Sequence, residues 1–350
     1  MQSVVFTETG PLEVLKLVSL PLPEPGPGQV RIRLTSVGLN RADALFRENR
    51  YFIKPTFSVS GEMNGQSATE QKYCRIGFEG AGIIDKAGDG VALPVGQRVA
   101  LLPLTVDPIN QGTLSEYGVY NVEHLIQVPD SIDDGISGAI WMKYLTAWGG
   151  MVADGNLQAG QVVTITAASS SVGVASIQLA KMLGATVIAT STSDEKLPEL
   201  LSHGADHVIN SRSGDYVDQV KSITGGTGTD LVFDAVAGPG MRDLVQGSKR
   251  GGCIVIQGML DRRPMEVHAG VLMKRLLTMK GFTLDKVIED KPCLERALDC
   301  IRSGLTEGRL TPCIARTFPL VEYSEAFRLL ESNRHVGKIV VNPSPVWSEL

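Results

Sequence analysis

The chain has 350 residues, with 33 Lys and Arg against 38 Asp and Glu for a net charge of −5, and is 43% hydrophobic and 20% charged. That length suits two domains, that balance excludes a disordered chain, and the lack of any basic block excludes a nucleic-acid footprint. Five scattered cysteines exclude a disulfide scaffold and point to a reducing, cytoplasmic setting. The opening MQSVVFTETG has no positive region and no apolar run, so no secretory leader is expected. The uncharged stretch 155–180 holds too many Asn, Gln, Ser, Thr and Gly residues to span a bilayer, so no membrane partner is expected.

In chain order, the first segment reads as short strands, at 4–10 and through 14–39, broken by PLPEPGPGQ, whose prolines and glycines fit neither a helix nor a central strand. GFEGAGIIDKAG, QRVALLP and SEYGVYNVEHLIQVP continue the β pattern, with turn signals close enough together for a small barrel-like domain. Residues 136–153 have helical spacing. From there strands at 162–166, 186–191, 207–210, 229–236 and 253–258 alternate with helices at 172–184, 196–204, 216–226 and 241–252, and a strand follows at 276–284. Apolar strands alternating with helices imply a parallel sheet covered on both faces. The tail from Cys313 holds a strand, an amphipathic helix and a last strand. The expected fold class is α/β: a β-rich domain over 1–128 and 308–350, and a Rossmann doubly wound domain over 129–307.

The stretch TITAASSSVGVASIQLAKMLGATVIATSTSDEK carries the chemistry. A strand ends, a turn of small residues follows and a helix begins at once, which places a pyrophosphate on free N–H groups at a helix N-terminus. The dinucleotide fingerprint puts glycines at Ala168, Ser170 and Gly173; only Gly173 is one, but Ala and Ser stay small, and Ser170 and Ser171 add hydroxyls beside Val172. The second strand ends at Ser191 and Thr192, where an NAD site usually has a carboxylate for the ribose 2′-hydroxyl. Hydroxyls accept a 2′-phosphate, and Lys196 offers the positive charge, so NADPH is the expected cofactor. A solvated surface lysine is the other reading of Lys196.

This order of parts, with GLNRADALFRENRY, GFEGAGII, AIWMKYLTAWG, GADHVIN and ESNRHVGKIVV, resembles the zinc-independent quinone oxidoreductase and enoyl reductase branch of the medium-chain dehydrogenase/reductase superfamily, over essentially the whole chain. The resemblance implies a GroES-like catalytic domain, a Rossmann domain, a cleft between them and a homodimer joined through the strand in LLTMKGFTL. Zinc relatives place a ligand Cys where this chain has Asn40 and a ligand His where it has Phe78, and the structural zinc lobe needs four close cysteines, so no metal is expected. His203 and His207 stand four apart, but Gly204 interrupts them and they read as helix-end histidines.

Without a metal electrophile, hydride transfer favours an enone, an enoyl ester or a quinone, where the charge spreads into an enolate or an aromatic product. The resemblance makes Asn40 and Tyr51 the polar pair at the nicotinamide. Tyr51 either protonates the product or packs against substrate, and Asn40 serves the site or caps a turn. Thr146 matches a threonine beside the nicotinamide, or bonds to its own helix. Ala237, Gly258 and Met259 end Rossmann strands, where the cofactor lies. Ser211 departs from a tyrosine common in quinone reductases. Arg212, Asn333, Arg334 and Lys338 read as charge partners or as exposed surface.

The segment 52–76 is longer than in relatives and rich in Ser, Gly and Gln, so it is expected to be a lid over a bulky substrate or a tolerated surface insertion. The functional expectation is an NADPH-dependent, zinc-independent oxidoreductase acting on an α,β-unsaturated carbonyl or a quinone. The alternatives are a dedicated enoyl reductase of a polyketide-like pathway working on a carrier-bound chain, and a non-catalytic or redox-neutral NADPH-binding protein.

Overall fold

The computed structural model describes residues 1–57 and 73–344. They form two compact units: Met1–Met142 joined by the segment from Ile314 onward, and Lys143–Cys313.

The first unit opens with β1 (Gln2–Phe6), β2 (Lys16–Ser19) and β3 (Gln29–Gly38), then a short helix α1 (Arg41–Arg47). The strands β4 (Cys74–Arg75), β5 (Ala81–Ala87), β6 (Arg98–Leu101), β7 (Tyr117–Asn121) and β8 (Leu125–Gln127) follow. β3 is the spine: it pairs antiparallel with both β5 and β7. Its alternate residues Val30, Ile32 and Leu34 are fully buried with Ile84, Val99, Leu101 and Tyr120, as a strand of period two requires. Between those positions Arg31 bonds the Asp85 carboxylate at 2.6 Å. The Pro and Gly cluster before β3 is loop, as its chemistry dictates.

The sequence pattern predicts one helix over 136–153. Instead a 3-10 turn at Ser137–Ala139 precedes α2 (Trp141–Trp148), which widens into a π-helical turn at Gly149–Asp154. A Cβ on Gly149 would lie 2.5 Å from Val287 and one on Gly150 2.1 Å from Phe233, so the glycine pair lets the widened turn press against neighbouring side chains.

The second unit alternates β9 (Val162–Ile165), α3 (Ser171–Met182), β10 (Thr186–Ser191), α4 (Leu197–Ser202), β11 (His207–Asn210), α5 (Tyr216–Ile223), β12 (Thr229–Asp234), α6 (Met241–Gly247) and β13 (Ser248–Ile256). After these come α7 (Ala269–Arg275), β14 (Thr278–Gly281), α8 (Asp285–Glu289) and α9 (Lys291–Thr306). The six strands are parallel in the order β11-β10-β9-β12-β13-β14, the doubly wound arrangement whose order reverses between β9 and β12. Residues 248–252, read in sequence as the end of a helix, begin β13 instead. The Ser248 hydroxyl closes α6 by donating to the Leu244 carbonyl at 2.8 Å, and Gly251 takes a positive φ of 79° that a helix does not contain.

The return segment supplies β15 (Ile314–Pro319), α10 (Tyr323–Ser332) and β16 (Lys338–Asn342). β16 runs antiparallel to β3 and parallel to β15, completing a seven-stranded sheet in the first unit. The fold is therefore a mixed α/β one, with a GroES-like β unit and a Rossmann unit.

Candidate active site

In the Rossmann unit, the expected cofactor residues Ser170, Ser171, Val172, Gly173, Ser191, Thr192, Lys196, Ala237, Gly258 and Met259 lie at or just beyond the C-terminal ends of β9, β10, β12 and β13. That is the edge where doubly wound sheets bind ligands. The loop after β9 turns through Ala167 at φ 45°, and Ala168 donates to the Thr190 carbonyl at 3.0 Å, which fixes the loop to β10. Ser170 is the N-cap of α3, its hydroxyl accepting the Gly173 N–H at 3.0 Å. The Ser171 and Val172 N–H groups, in the first turn, have no carbonyl one turn back in the helix to reach and point out of it.

Gly173 is the residue that lets α3 start so close to β9. A Cβ there would sit 2.5 Å from the Ala168 carbonyl oxygen and 2.6 Å from its Cα. This is the third-glycine role of the fingerprint, kept where the other two glycines are not.

Lys196 reaches back to this loop, its ammonium 3.3 Å from the Ser169 hydroxyl. Partial burial holds its pKa below the usual lysine value, against the pull of Glu199. Ser191 is buried; its oxygen accepts the Ser193 N–H at 3.2 Å and its carbonyl the Ser211 N–H at 2.8 Å. Thr192 is exposed. A hydroxyl-lined strand end beside an amine thus replaces the carboxylate that would repel a 2′-phosphate.

Asp234 organises the next strand end, and sequence reasoning missed it. It is fully buried; its carboxylate takes the Thr166 hydroxyl at 2.5 Å and the Val236 and Ala237 N–H groups at 3.1 and 2.7 Å. Burial raises its pKa, and those three donors offset part of the rise. The bonds hold Ala237 and Gly238 in left-handed conformations, at φ 58° and 64°. The loop beyond β13 is tied in as well, since Leu260 and Asp261 donate to the Ala235 and Val236 carbonyls. Gly258 passes so near β12 that a Cβ would come within 2.8 Å of the Ala235 oxygen, while Met259 stands 61% exposed. Thr146 lies in α2 of the same unit, half-buried. An acidic residue closing a strand three positions before a left-handed residue is the signal that could have found Asp234.

In the GroES-like unit, Asn40 starts α1 and is locked. Its side-chain amide donates to the Gly38 carbonyl at 3.0 Å and to Glu79 at 3.2 Å, and its side-chain oxygen accepts the Lys338 ammonium at 2.6 Å. Lys338 also pairs with Glu79, whose other oxygen accepts the Met142 N–H at 3.1 Å. Both charged groups are almost wholly buried. Lys338, read in sequence as a possible surface charge, is therefore corrected to a buried cation: β16 carries it inward beside β3. Gly38 leaves it room, because a Cβ there would lie 2.6 Å from Lys338 Cε.

Asp43 sits beneath this cluster and accepts the Asn40 N–H at 2.7 Å. Complete burial, helped by Glu79, pushes its pKa up to about 7, against backbone hydrogen bonds and Lys338 that pull it down. Tyr51 follows α1, half-buried, with its ring edge-on to Phe78 at 5.3 Å between centroids. Phe78 in turn meets Phe46 edge-on at 5.7 Å, so the tyrosine rests on buried aromatic rings. Of the expected 52–76 lid, residues 58–72 lie outside the described residues.

Known proteins share this division. Residues 26–130 match the family model described as alcohol dehydrogenase GroES-like domain, and residues 171–303 the one described as zinc-binding dehydrogenase. A phenolphthiocerol/phthiocerol polyketide synthase chain of Mycobacterium tuberculosis is 29% identical over 318 residues, covering 89% of this chain and 13% of its own length. This chain thus spans only about an eighth of that relative. A quinone oxidoreductase of Sus scrofa is 27% identical over 96% of both chains, and a 2-haloacrylate reductase of a Burkholderia species 29% identical over 90% of both. Among solved structures, Escherichia coli quinone oxidoreductase complexed with NADPH superposes with a TM-score of 0.84, at 24% identity, over 98% of this chain and 100% of that one, which is a likeness of fold.

Proposed function

The chain belongs to the medium-chain dehydrogenase/reductase superfamily, in its quinone oxidoreductase-like branch, and from that membership we propose that it passes hydride from NADPH to an activated double bond or a quinone. The observation that carries this reading is the loop after β9, where Gly173, the Ser170 cap and Lys196 form a phosphate cradle. NADPH held there supplies the hydride. The Ser171 and Val172 N–H groups and the α3 dipole take the pyrophosphate, and Lys196 with Ser191 and Thr192 takes the 2′-phosphate. Asp234 fixes the Ala237–Gly238 turn, and Gly258 the neighbouring one, that flank the rest of the cofactor.

The GroES-like unit supports zinc-independence. The residues at 40 and 78 are Asn and Phe, and the Lys338 ammonium already contacts Asn40 and Glu79. A divalent cation there would face that ammonium with no thiolate or imidazole to bind it, so the residues present do not fit zinc. The acceptor must then carry its own electron sink, as an enone, an enoyl thioester or a quinone does. The relative named for reduction of a haloacrylate supports a conjugated double bond. Both donors of the Asn40 amide are spent, so its role is to position α1, while Tyr51 is the residue we propose to donate to the developing enolate oxygen.

A second reading, a reductase of carrier-bound enoyl chains, is favoured by the polyketide synthase relative. NADPH consumption by purified protein, with a 1,4-quinone and a 2-enoyl thioester in parallel and NADH as control, tests both. Turnover on the thioester supports the conjugated-bond reading; NADPH binding without turnover of either acceptor overturns hydride transfer. Lys196→Ala is expected to raise KM for NADPH about tenfold while sparing NADH, the loss of one charge-assisted contact.

We further place the protein in the cytoplasm as a homodimer. No disulfide joins any of the five cysteines. No helix among the described residues is long and apolar enough to cross a membrane. β14 ends the six-stranded sheet, and Met273 and Leu276 beside it are 70% and 59% exposed.

A further inference from the structure

Along α4, the Rossmann unit gathers three metal-binding side chains. Glu199 and His203 stand one turn apart, on α4 and at its C-cap, and the His203 Nε2 lies 3.8 Å from the Glu199 carboxylate. Cys313, the last residue of the unit, brings its sulfur to 3.4 Å from the same nitrogen. All three ligand atoms fall within 4.8 Å of one another. Tetrahedral zinc with bonds of about 2.3 Å to sulfur and about 2.0 Å to nitrogen and oxygen needs ligand atoms roughly 3.3–3.6 Å apart. The observed spacings need only a side-chain adjustment.

The placement is built in rather than accidental. Gln178 of α3 accepts the Thr311 N–H at 3.1 Å and donates to its carbonyl at 2.8 Å, which pins the chain two residues before Cys313. The His203 N–H donates to the Glu199 carbonyl at 3.1 Å, so the helix end that carries both residues is closed. Glu199 is exposed, while His203 and Cys313 are half-buried. An ion can therefore enter from solvent yet bind beside a sheltered sulfur. The spacing of His203 and His207 seen in sequence is not the arrangement that forms: His207 begins β11, and the partners of His203 are one turn back and 110 positions ahead.

We propose that Glu199, His203 and Cys313 form a binding site for a borderline divalent cation of the zinc class, with a fourth position left for water or an incoming ligand. Binding breaks the S–H bond, releases that proton to solvent and forms a metal–thiolate bond, so thiolate and carboxylate together balance the ion's charge. Burial and the negative charge of Glu199 oppose the thiolate at this sulfur, while the charge of Lys143 favours it. The ion would cross-link α4 to the end of the unit.

The test is a titration of the metal-free full chain with cobalt(II), followed by displacement with zinc(II), alongside Cys313→Ser, His203→Gln and Glu199→Gln. The expected result is a tetrahedral visible spectrum with a sulfur-to-cobalt charge-transfer band, about one ion per chain, and at least about tenfold weaker binding in each variant. Zinc should raise Tm of the wild type and leave Cys313→Ser unmoved. Unchanged Tm values of the three variants without metal show that they are folded. A missing sulfur band overturns the proposal, as does a band that persists in Cys313→Ser, which would place the metal on another cysteine. Full affinity in His203→Gln or Glu199→Gln overturns the three-ligand set.

Discussion

A buried ammonium shared between a carboxylate and an amide leaves each of them stranded when it is removed. Lys338→Met should therefore cost about 3–5 kcal/mol of unfolding free energy, read by urea denaturation. Because Glu79 is then the orphan, the Lys338→Met/Glu79→Gln pair should lose clearly less than the sum of the two single changes, and simple additivity would reject a coupled pair. Asp43 gives the same cluster a pH dependence. Its folded pKa of about 7 stands above the ordinary aspartate value, so the folded state binds the extra proton. Stability is full below the unfolded pKa of about 4 and falls as pH rises toward 7, by up to about 1.4 kcal/mol per unit. Denaturation at pH 5 and pH 8 should show the difference, and Asp43→Asn should flatten it. At Gly173, alanine forces a methyl against the Ala168 backbone; a loss of about 1–3 kcal/mol together with weaker NADPH binding is expected from denaturation and fluorescence titration.

At the level of elements, legibility follows the strength of the local pattern. β9, α3, β10 and β11 are where hydrophobic periodicity and the small-residue turn place them, because capping and burial agree there. α9 has no counterpart in the chain-order reading, although Asp290 caps it and Cys293, Leu294, Ala297, Leu298, Ile301 and Leu305 line its buried face at a regular helical spacing, so the pattern for it is present in the sequence. The break of the 136–153 helix into 3-10, α and π turns is illegible, since it depends on which side chains press on Gly149 and Gly150. The prediction at this scale concerns α3. Ser170→Ala removes its cap, so about 0.5–2 kcal/mol of stability should be lost, with KM for NADPH rising. Ser170→Asp should restore the stability while repelling the phosphates, which separates capping from binding.

For the whole molecule, the open edge at β14 predicts a particle of twice the chain mass in light scattering. A monomer at micromolar concentration would refute the homodimer. The sequence by itself determined the α/β class, the β-rich and Rossmann units and the strand–turn–helix loop after β9, because each is written in local periodicity, turn chemistry and small residues at fixed spacing. Asn40 and Tyr51 are singled out only by the family resemblance, and Lys196 by its place just after the second strand, without what any of them touches. Only the tertiary structure decided that Lys338 is buried on Asn40 and Glu79, that Asp234 fixes the turn beyond β12, and that Cys313 meets His203. Those contacts join residues 298, 3 and 110 positions apart. The two long ones depend on how strands return to a sheet and a chain end to a helix, which no local pattern encodes.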